Sequence, residues 1–265
     1  VPWRAVPVMP VEIMLLPNWF PFHLSKISYW SRTVLVPLLI LMALKPRAKN
    51  PRGINIEELF IRKPEEEARY LHNPTGSAWG ELFLGIDKIL RKIEPMLPRT
   101  ARQRALKAAV KFIKPRLNGE DGLGGIFPAM ANAVMAFEAL GYPKDDPDLL
   151  TAKSSIQKLL RLDGEKGFCQ PCLSPIWDTG LAVHSLAEAN GSDETKELSR
   201  AATWLAEKQI LDVEGDWADN RPGLRPGGWP FEYANDYYPD VDDTAVVALA
   251  LDRMDREKFR ENIER

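Results

Sequence analysis

The chain has 265 residues but only 2 cysteines and 3 histidines. So few cysteines cannot build the disulfide framework of a small secreted domain. Neither sign of charge dominates: 35 Lys+Arg against 37 Asp+Glu leave a net charge of -2. That excludes a strongly basic nucleic-acid binder and an acidic disordered tail. Long apolar runs are also missing. The longest, Val34–Leu44, contains Pro37 and is too short to span a bilayer. No secretory signal pattern follows Val1. Without an initiating Met, the chain reads as an internal piece of a longer protein. No stretch alternates convincingly with period two, which argues against a sheet protein. What is plentiful is apolar surface. At 45% hydrophobic, the chain can bury one or two cores.

Residues 1–30 are rich in proline and aromatics and read as an irregular segment packed on a body. Ser31–Leu44 reads as a buried helix. Residues 45–77, with Pro46, Pro51, Pro64 and Pro74, read as a surface excursion. From Ala78 onward the periodicity is helical, beginning with Trp79, Leu82, Phe83, Ile86, Leu90 and Ile93. Further helices are expected near 100–113, 128–140, 148–161, 177–189, 195–209 and 243–254. Gly119–Gly125 is a glycine-rich turn; it lacks the Gly-Lys-Ser/Thr ending of a phosphate loop. The fold class is therefore mainly α. A weak repeat links Trp177-Asp178-Thr179-Gly180 with Asp242-Asp243-Thr244-Ala245, each after a proline and opening an apolar helix. Phe127-Pro128-Ala129 opens another. Such repetition points to an array or toroid of helices, whose inner helices start at one rim. Trp177 and Asp242 are then expected to be neighbours.

The most pointed feature is Asp240-Val241-Asp242-Asp243-Thr244-Ala245, with Tyr237-Tyr238-Pro239 before it. One reading is a helix N-cap, since Asp and Thr cap well and negative charge suits the macrodipole. A metal site has less support, because neither DDxxD spacing nor an EF-hand glycine is present. The other reading is a strong Brønsted acid. Crowded carboxylates cannot all ionise, so one keeps its proton, and burial among aromatics strengthens the effect. Both readings stay open on the residues alone. An acid that makes a carbocation also needs unreactive walls. Trp229, Phe231, Tyr233, Tyr237 and Tyr238 lie just before the carboxylates, and Trp177 joins them if the rim holds. Aromatic faces stabilise a cation by about 0.5–2 kcal/mol each.

A further pattern runs Arg200-Ala201, Trp204-Leu205, Gln209, Gly215 and Trp217. It matches the QW repeat of triterpene cyclases, in which a Gln side chain caps a neighbouring helix end. A degenerate copy spans Phe112–Gly125. Together with Asp240–Ala245, Tyr29-Trp30-Ser31-Arg32, Gly124-Gly125-Ile126-Phe127-Pro128 and Ser174-Pro175-Ile176-Trp177-Asp178-Thr179, it makes the chain resemble the squalene–hopene cyclase family along essentially its whole length. Oxidosqualene cyclases look different, with Cys where this chain has Asp243.

The resemblance implies two α/α barrels with an active cavity between them. Residues 1–172 would be most of the inserted barrel and 173–265 the first part of the catalytic one. Asp242 would be the proton donor, tuned by Asp240 and Asp243. Trp30, Trp177, Phe231 and Tyr238 would be cavity-wall aromatics. Ile126, Phe127 and Pro128 would line the substrate channel, and Cys172 would lie where the wall crosses between barrels. The implied reaction is proton-initiated cyclisation of squalene to pentacyclic hopanoids, an isomerase activity with no metal or cofactor. A His that bonds the acid, and further wall aromatics, would lie outside this chain. A homodimer at the cytoplasmic face of the cell membrane is the implied setting, with no nucleic-acid partner. Alternatives are a class II diterpene cyclase acting on a prenyl diphosphate and a non-catalytic membrane-surface scaffold.

Two stretches bear on the membrane directly. Residues 79–93 carry the Trp/Phe/Leu/Ile stripe, with Lys88, Arg91 and Lys92 on other faces, and residues 99–116 hold seven basic and no acidic residues. This suits an anionic lipid surface, or else an ordinary core-facing helix with a solvated charge run. Cys169-Gln170-Pro171-Cys172 has neither the second pair a zinc site wants nor the βαβ context of a redox site. His184 reads as a packed histidine, and His23 and His72 as loop residues.

Overall fold

The computed structural model describes residues 2–119, 121–190, 195–219, 221–233 and 235–265. Glu120, within the glycine-rich turn, lies outside them. The molecule is mainly helical and is built on two hydrophobic cores.

The first core gathers four helices. α1 (Tyr29–Leu44) ends at Lys45, whose left-handed conformation (φ 50°) closes the last turn. Its Val36, Leu39 and Ile40 are buried. They meet Ala129, Ala133 and Ala136 of α4 (Phe127–Ala139), where small side chains let the two helices approach. α3 (Arg99–Ile113) contributes Ala105, Ala109 and Ile113. α5 (Pro147–Leu159) is capped by Asp146, which accepts from the backbone N–H groups of Asp148 and Leu149 at 3.0 and 3.2 Å. The second core lies between α6 (Pro175–Asn190), α7 (Lys196–Glu207) and α8 (Val241–Asp255). Ile176, Val183, Leu205, Trp229, Val247 and Leu251 fill it. Gly180 is required at the α6–α8 contact: a Cβ there would stand 2.9 Å from Val246. α6 and α8 pack directly on each other while α7 touches both. His184 is a packed histidine, its Nε2 3.1 Å from the Val246 carbonyl.

Two departures from the sequence reading concern strands. α5 stops at Leu159, and β1 (Leu160–Asp163) pairs antiparallel with β2 (Lys166–Cys169). The two-residue turn begins at Gly164 (φ 58°), a backbone that glycine adopts without cost. Every residue of this hairpin is exposed. With no buried face, it carries no alternating pattern to read. The second sheet is minimal: β3 (Trp229–Pro230) pairs with β4 (Pro239–Asp240). Its prolines mask any strand signal.

α2 (Ala78–Ile93) reverses the usual amphipathic order. Trp79, Leu82, Phe83, Ile89 and Ile93 are exposed, while Asp87 is the buried residue. Asp87 accepts from the Val8 N–H at 2.7 Å and from Arg91 at 2.6 Å. Of the stripe, Trp79, Leu82, Phe83 and Ile93 thus face outward, while Ile86 and Leu90 are half-buried. The basic run of residues 99–116 is partly paired: Arg102 with Glu12, Lys114 with Asp148 and Arg116 with Asp216. Arg99, Arg104, Lys107 and Lys111 remain exposed.

Gln209, 7% exposed, ties α7 to α9 (Arg260–Glu264). It donates to the carbonyls of Gly227 and Asn262 at 2.6 and 2.9 Å and accepts from the Asn262 amide at 2.7 Å. Gln209→Ala leaves these groups unpaired. It is expected to lower unfolding free energy by about 2–3 kcal/mol in urea titration.

Candidate active site

The two cores meet along a polar and aromatic seam. Ile126 forms an isolated bridge with Cys172, and the Phe127 N–H donates to the Pro171 carbonyl at 2.9 Å. Asn118 donates to the Asn235 side chain at 3.1 Å. Arg116 donates to Asp216 and to the Phe112 carbonyl, and its guanidinium lies 4.0 Å from the Phe112 ring and 4.7 Å from that of Tyr237.

Above this seam is a cavity of about 300 Å³, lined by Trp30, Ile126, Trp177, Phe231, Asp240, Asp242 and Asp243. Five separate segments supply these residues: α1, the turn before α4, α6, the β3–β4 loop, and the start of α8 with the residue that caps it. The expected neighbourhood of Trp177 and Asp242 is thus realised. Trp30 meets Phe231 edge-to-face at 5.9 Å and stacks on Tyr238 at 6.3 Å.

The three carboxylates do different things. Asp240 is the N-cap of α8, accepting from the Asp243 N–H at 2.8 Å. The capping reading is right for this residue. Asp243 is 2% exposed and points into the protein. Burial, then the charges of Asp240, Glu232 and Asp242, push its carboxyl up to about 8. Asp242 is exposed on the open side of the cavity. Asp243 is therefore an acid of the cluster that holds its proton. Both residues line the cavity, Asp243 from its buried side and Asp242 from its exposed side.

Of the wall residues implied by the resemblance, four lie outside this lining, as do Trp229, Tyr233 and Tyr237. Tyr238 is fully buried behind Trp30, with its hydroxyl raised by burial. Phe127 and Pro128 are exposed on the first turn of α4, because the chain turns after Ile126. Cys172 is half-buried beneath Ile126. Sequence reasoning missed Glu232, which is 1% exposed and whose carboxyl burial pushes up to about 8. A single Glu between Phe231 and Tyr233 carries no signal of burial. No group of three His, Cys, Asp or Glu among the described residues could hold a metal ion. A larger open groove of about 940 Å³ lies elsewhere, between α6 and α7, with Asp178, Lys196, Arg200 and Glu207 around Trp204. It is charged and shares none of the clustered acids.

Comparison with known proteins places this arrangement. The profile of the squalene-hopene cyclase N-terminal domain matches residues 1–164, and that of the C-terminal domain matches residues 173–265. The chain belongs to the squalene–hopene cyclase family. It is 53% identical to a probable squalene–hopene cyclase of Sinorhizobium fredii over 97% of its length and 40% of that protein. It is 52% identical to a squalene–hopene cyclase of Zymomonas mobilis over 95% of the chain and 39% of the relative. A squalene-hopene cyclase of the fungus Schizosaccharomyces japonicus is 47% identical over 99% and 41%. The chain thus spans about two fifths of the length of these curated relatives, and its helical architecture is that of an all-α terpene cyclase.

The raised carboxyl of Asp243 makes stability depend on pH. The folded form binds a proton that the unfolded form has lost above about pH 4. Stability contributed by this group is complete below that pH and is lost as pH rises to about 8. Asp243→Asn is expected to flatten this decline in unfolding midpoints measured from pH 4 to 9.

Proposed function

We propose that this chain carries the acid site of a squalene cyclase, which protonates a terminal double bond of squalene and directs ring closure to hopanoids. The observation that supports it is the joint lining of one cavity by the carboxylate cluster and the rings of Trp30, Trp177 and Phe231. Asp242 presents its carboxyl to the cavity and donates the hydrogen of its own O–H to the alkene carbon, becoming the carboxylate while Asp243 keeps its own proton. Asp240 and Asp243 tune it: Asp243 stays neutral beside it, so the cluster carries a proton at working pH. The aromatic faces then stabilise positive charge as it moves along the chain. Such a step needs only acid and shape, so the overall change is an isomerisation. In this reading residues 1–172 form most of one α/α barrel, and 173–265 open the second. The remaining length typical of the relatives closes the cavity over Asp242.

A class II diterpene cyclase is less well supported. A prenyl diphosphate needs cations near the acid, and the cavity lining holds neither Lys nor Arg. A non-catalytic scaffold does not account for a buried Asp243 that turns toward a ring-lined hollow. The test is Asp242→Asn in a cyclase of full family length carrying these residues. Squalene turnover should fall by about 10³-fold or more, with circular dichroism and unfolding midpoint unchanged. Hopanoid production near the parental rate would refute the assignment.

The membrane reading rests on α2. No helix among the described residues is long and apolar enough to cross a membrane. The outward Trp79, Leu82, Phe83 and Ile89, beside exposed Arg99, Arg104 and Lys107, instead suit a helix lying in the interface of an anionic bilayer. There it would admit a lipid-dissolved substrate. Replacing Trp79 and Phe83 together by Ser is expected to reduce co-sedimentation with phosphatidylglycerol vesicles by about tenfold or more, given some 25 cal/mol per Å² of apolar area.

A further inference from the structure

We propose that Glu232 is a positioning residue of the acid site: wedged beneath the Gly124-Gly125-Ile126 turn and tied through Asn235 to Asn118, it sets where Ile126 and Phe231 meet the cavity. This deepens the cyclase reading and rests on it. Glu232 follows Phe231 directly but is absent from the cavity lining, so it acts through its neighbours and not on substrate.

The geometry is a closed chain of contacts. Glu232 Oε2 accepts from Asn235 Nδ2 at 2.9 Å. Asn235, itself 0% exposed, accepts at Oδ1 from Asn118 Nδ2 at 3.1 Å. Asn118 also donates to the Gly122 carbonyl at 3.3 Å. The β3–β4 loop, which carries Phe231, is thereby fastened to the glycine turn that carries Ile126. The carboxyl lies so close to that turn that a Cβ on Gly125 would stand 1.7 Å from Glu232 Oε1. Gly124 and Gly125 hold φ of 65° and 63°, which L side chains rarely adopt. The bare glycine backbone and the acid fit one another, and two walls of the cavity are fixed at that fit.

The wedge works as a neutral acid. Oε1 has no hydrogen-bond partner among the described residues. The charged groups that bear on Glu232 are Asp121 and Asp240, and Asp243 and Cys172 feel it in return. All are acidic. Ionised, Glu232 would be an uncompensated buried charge among like charges, a costly state. It therefore keeps its proton up to about pH 8 and loosens the seam above that.

The experiment uses a cyclase of full family length carrying these residues, with squalene as substrate and three forms: parent, Glu232→Ala and Glu232→Gln. Glu232→Ala should lower kcat at pH 6 by about tenfold to a hundredfold, as misplaced walls do. Glu232→Gln, equal in shape and always neutral, should restore most of that loss. The pH profile separates positioning from bulk packing. In the parent, two acids titrate near pH 8, Glu232 and Asp243, so kcat/KM should fall more steeply than tenfold per pH unit. In Glu232→Gln it should fall tenfold per unit, since one acid remains. An unchanged slope, or a Gln variant as slow as the Ala variant, overturns the proposal. Unfolding midpoints of parent and Gln variant, compared from pH 4 to 9, are read independently of turnover. The raised carboxyl gives stability that is complete below about pH 4 and lost toward pH 8. The Gln variant should lack that part of the decline. If the parent does not convert squalene, the cyclase reading falls, and the unfolding comparison still decides whether Glu232 is a neutral wedge; identical midpoint profiles mean it is not.

Discussion

The start of α8 sets two opposed forces on the same carboxyl. The helix N-terminus favours an anion at Asp243 by about 0.3–1 kcal/mol, and up to about 2 in partly buried geometry. Removing a charge from water costs several kcal/mol, even after the protein relaxes. Asp240 and Asp242 then add repulsion from within the same turn. Burial therefore wins, and the helix end that would ordinarily ionise a carboxyl instead holds a protonated one. Glu232, from the β3–β4 loop, adds to that repulsion from outside the helix. The β3–β4 pairing holds Asp240. Thr244 Oγ1 accepts from the Trp229 N–H at 3.0 Å, which locks that pairing to the helix.

The cap and the acid reading of Asp240–Asp243 are compatible because they fall on different residues. Asp240 uses its side chain for the Asp243 N–H, which frees Asp242 to face the cavity. The tight turn leaves Asp243 facing inward. A single stretch of sequence thus encodes a helix start, a cavity-facing acid and a buried proton holder.

How much of this was legible follows from periodicity. α1 to α8 were readable because each carries apolar residues at helical spacing or a proline-marked start, and the proximity of Trp177 to Asp242 followed from two similar helix openings. The β1–β2 hairpin was not readable, since a two-stranded ribbon exposed on both faces leaves no alternation. α2 was readable as amphipathic, but its orientation was not. A hydrophobic stripe says only that one face avoids water; Asp87, bound to Val8 and Arg91, is what turns that stripe outward. Glu232 and the Arg116–Asp216 pair were invisible for a related reason. Burial of a charged residue depends on partners about 100 positions away, as with Arg116 and Asp216, and no local pattern reports them.

The seam itself explains why such polar groups are buried here at all. The two cores bury separate sets of aliphatic side chains, so apolar packing alone would let one slide on the other. Hydrogen bonds and ion pairs are directional and tolerate little displacement. Arg116–Asp216 and Asn118–Asn235–Glu232 fix the offset between the cores at two separate points. The cavity walls come from both sides of that junction: Trp30 and Ile126 from one, Trp177, Phe231 and the carboxylates from the other. A site whose acid faces Trp30 and Ile126 across that junction can be no better aligned than the seam that joins them. Buried polarity contributes little to stability there, and it is the feature that specifies the register.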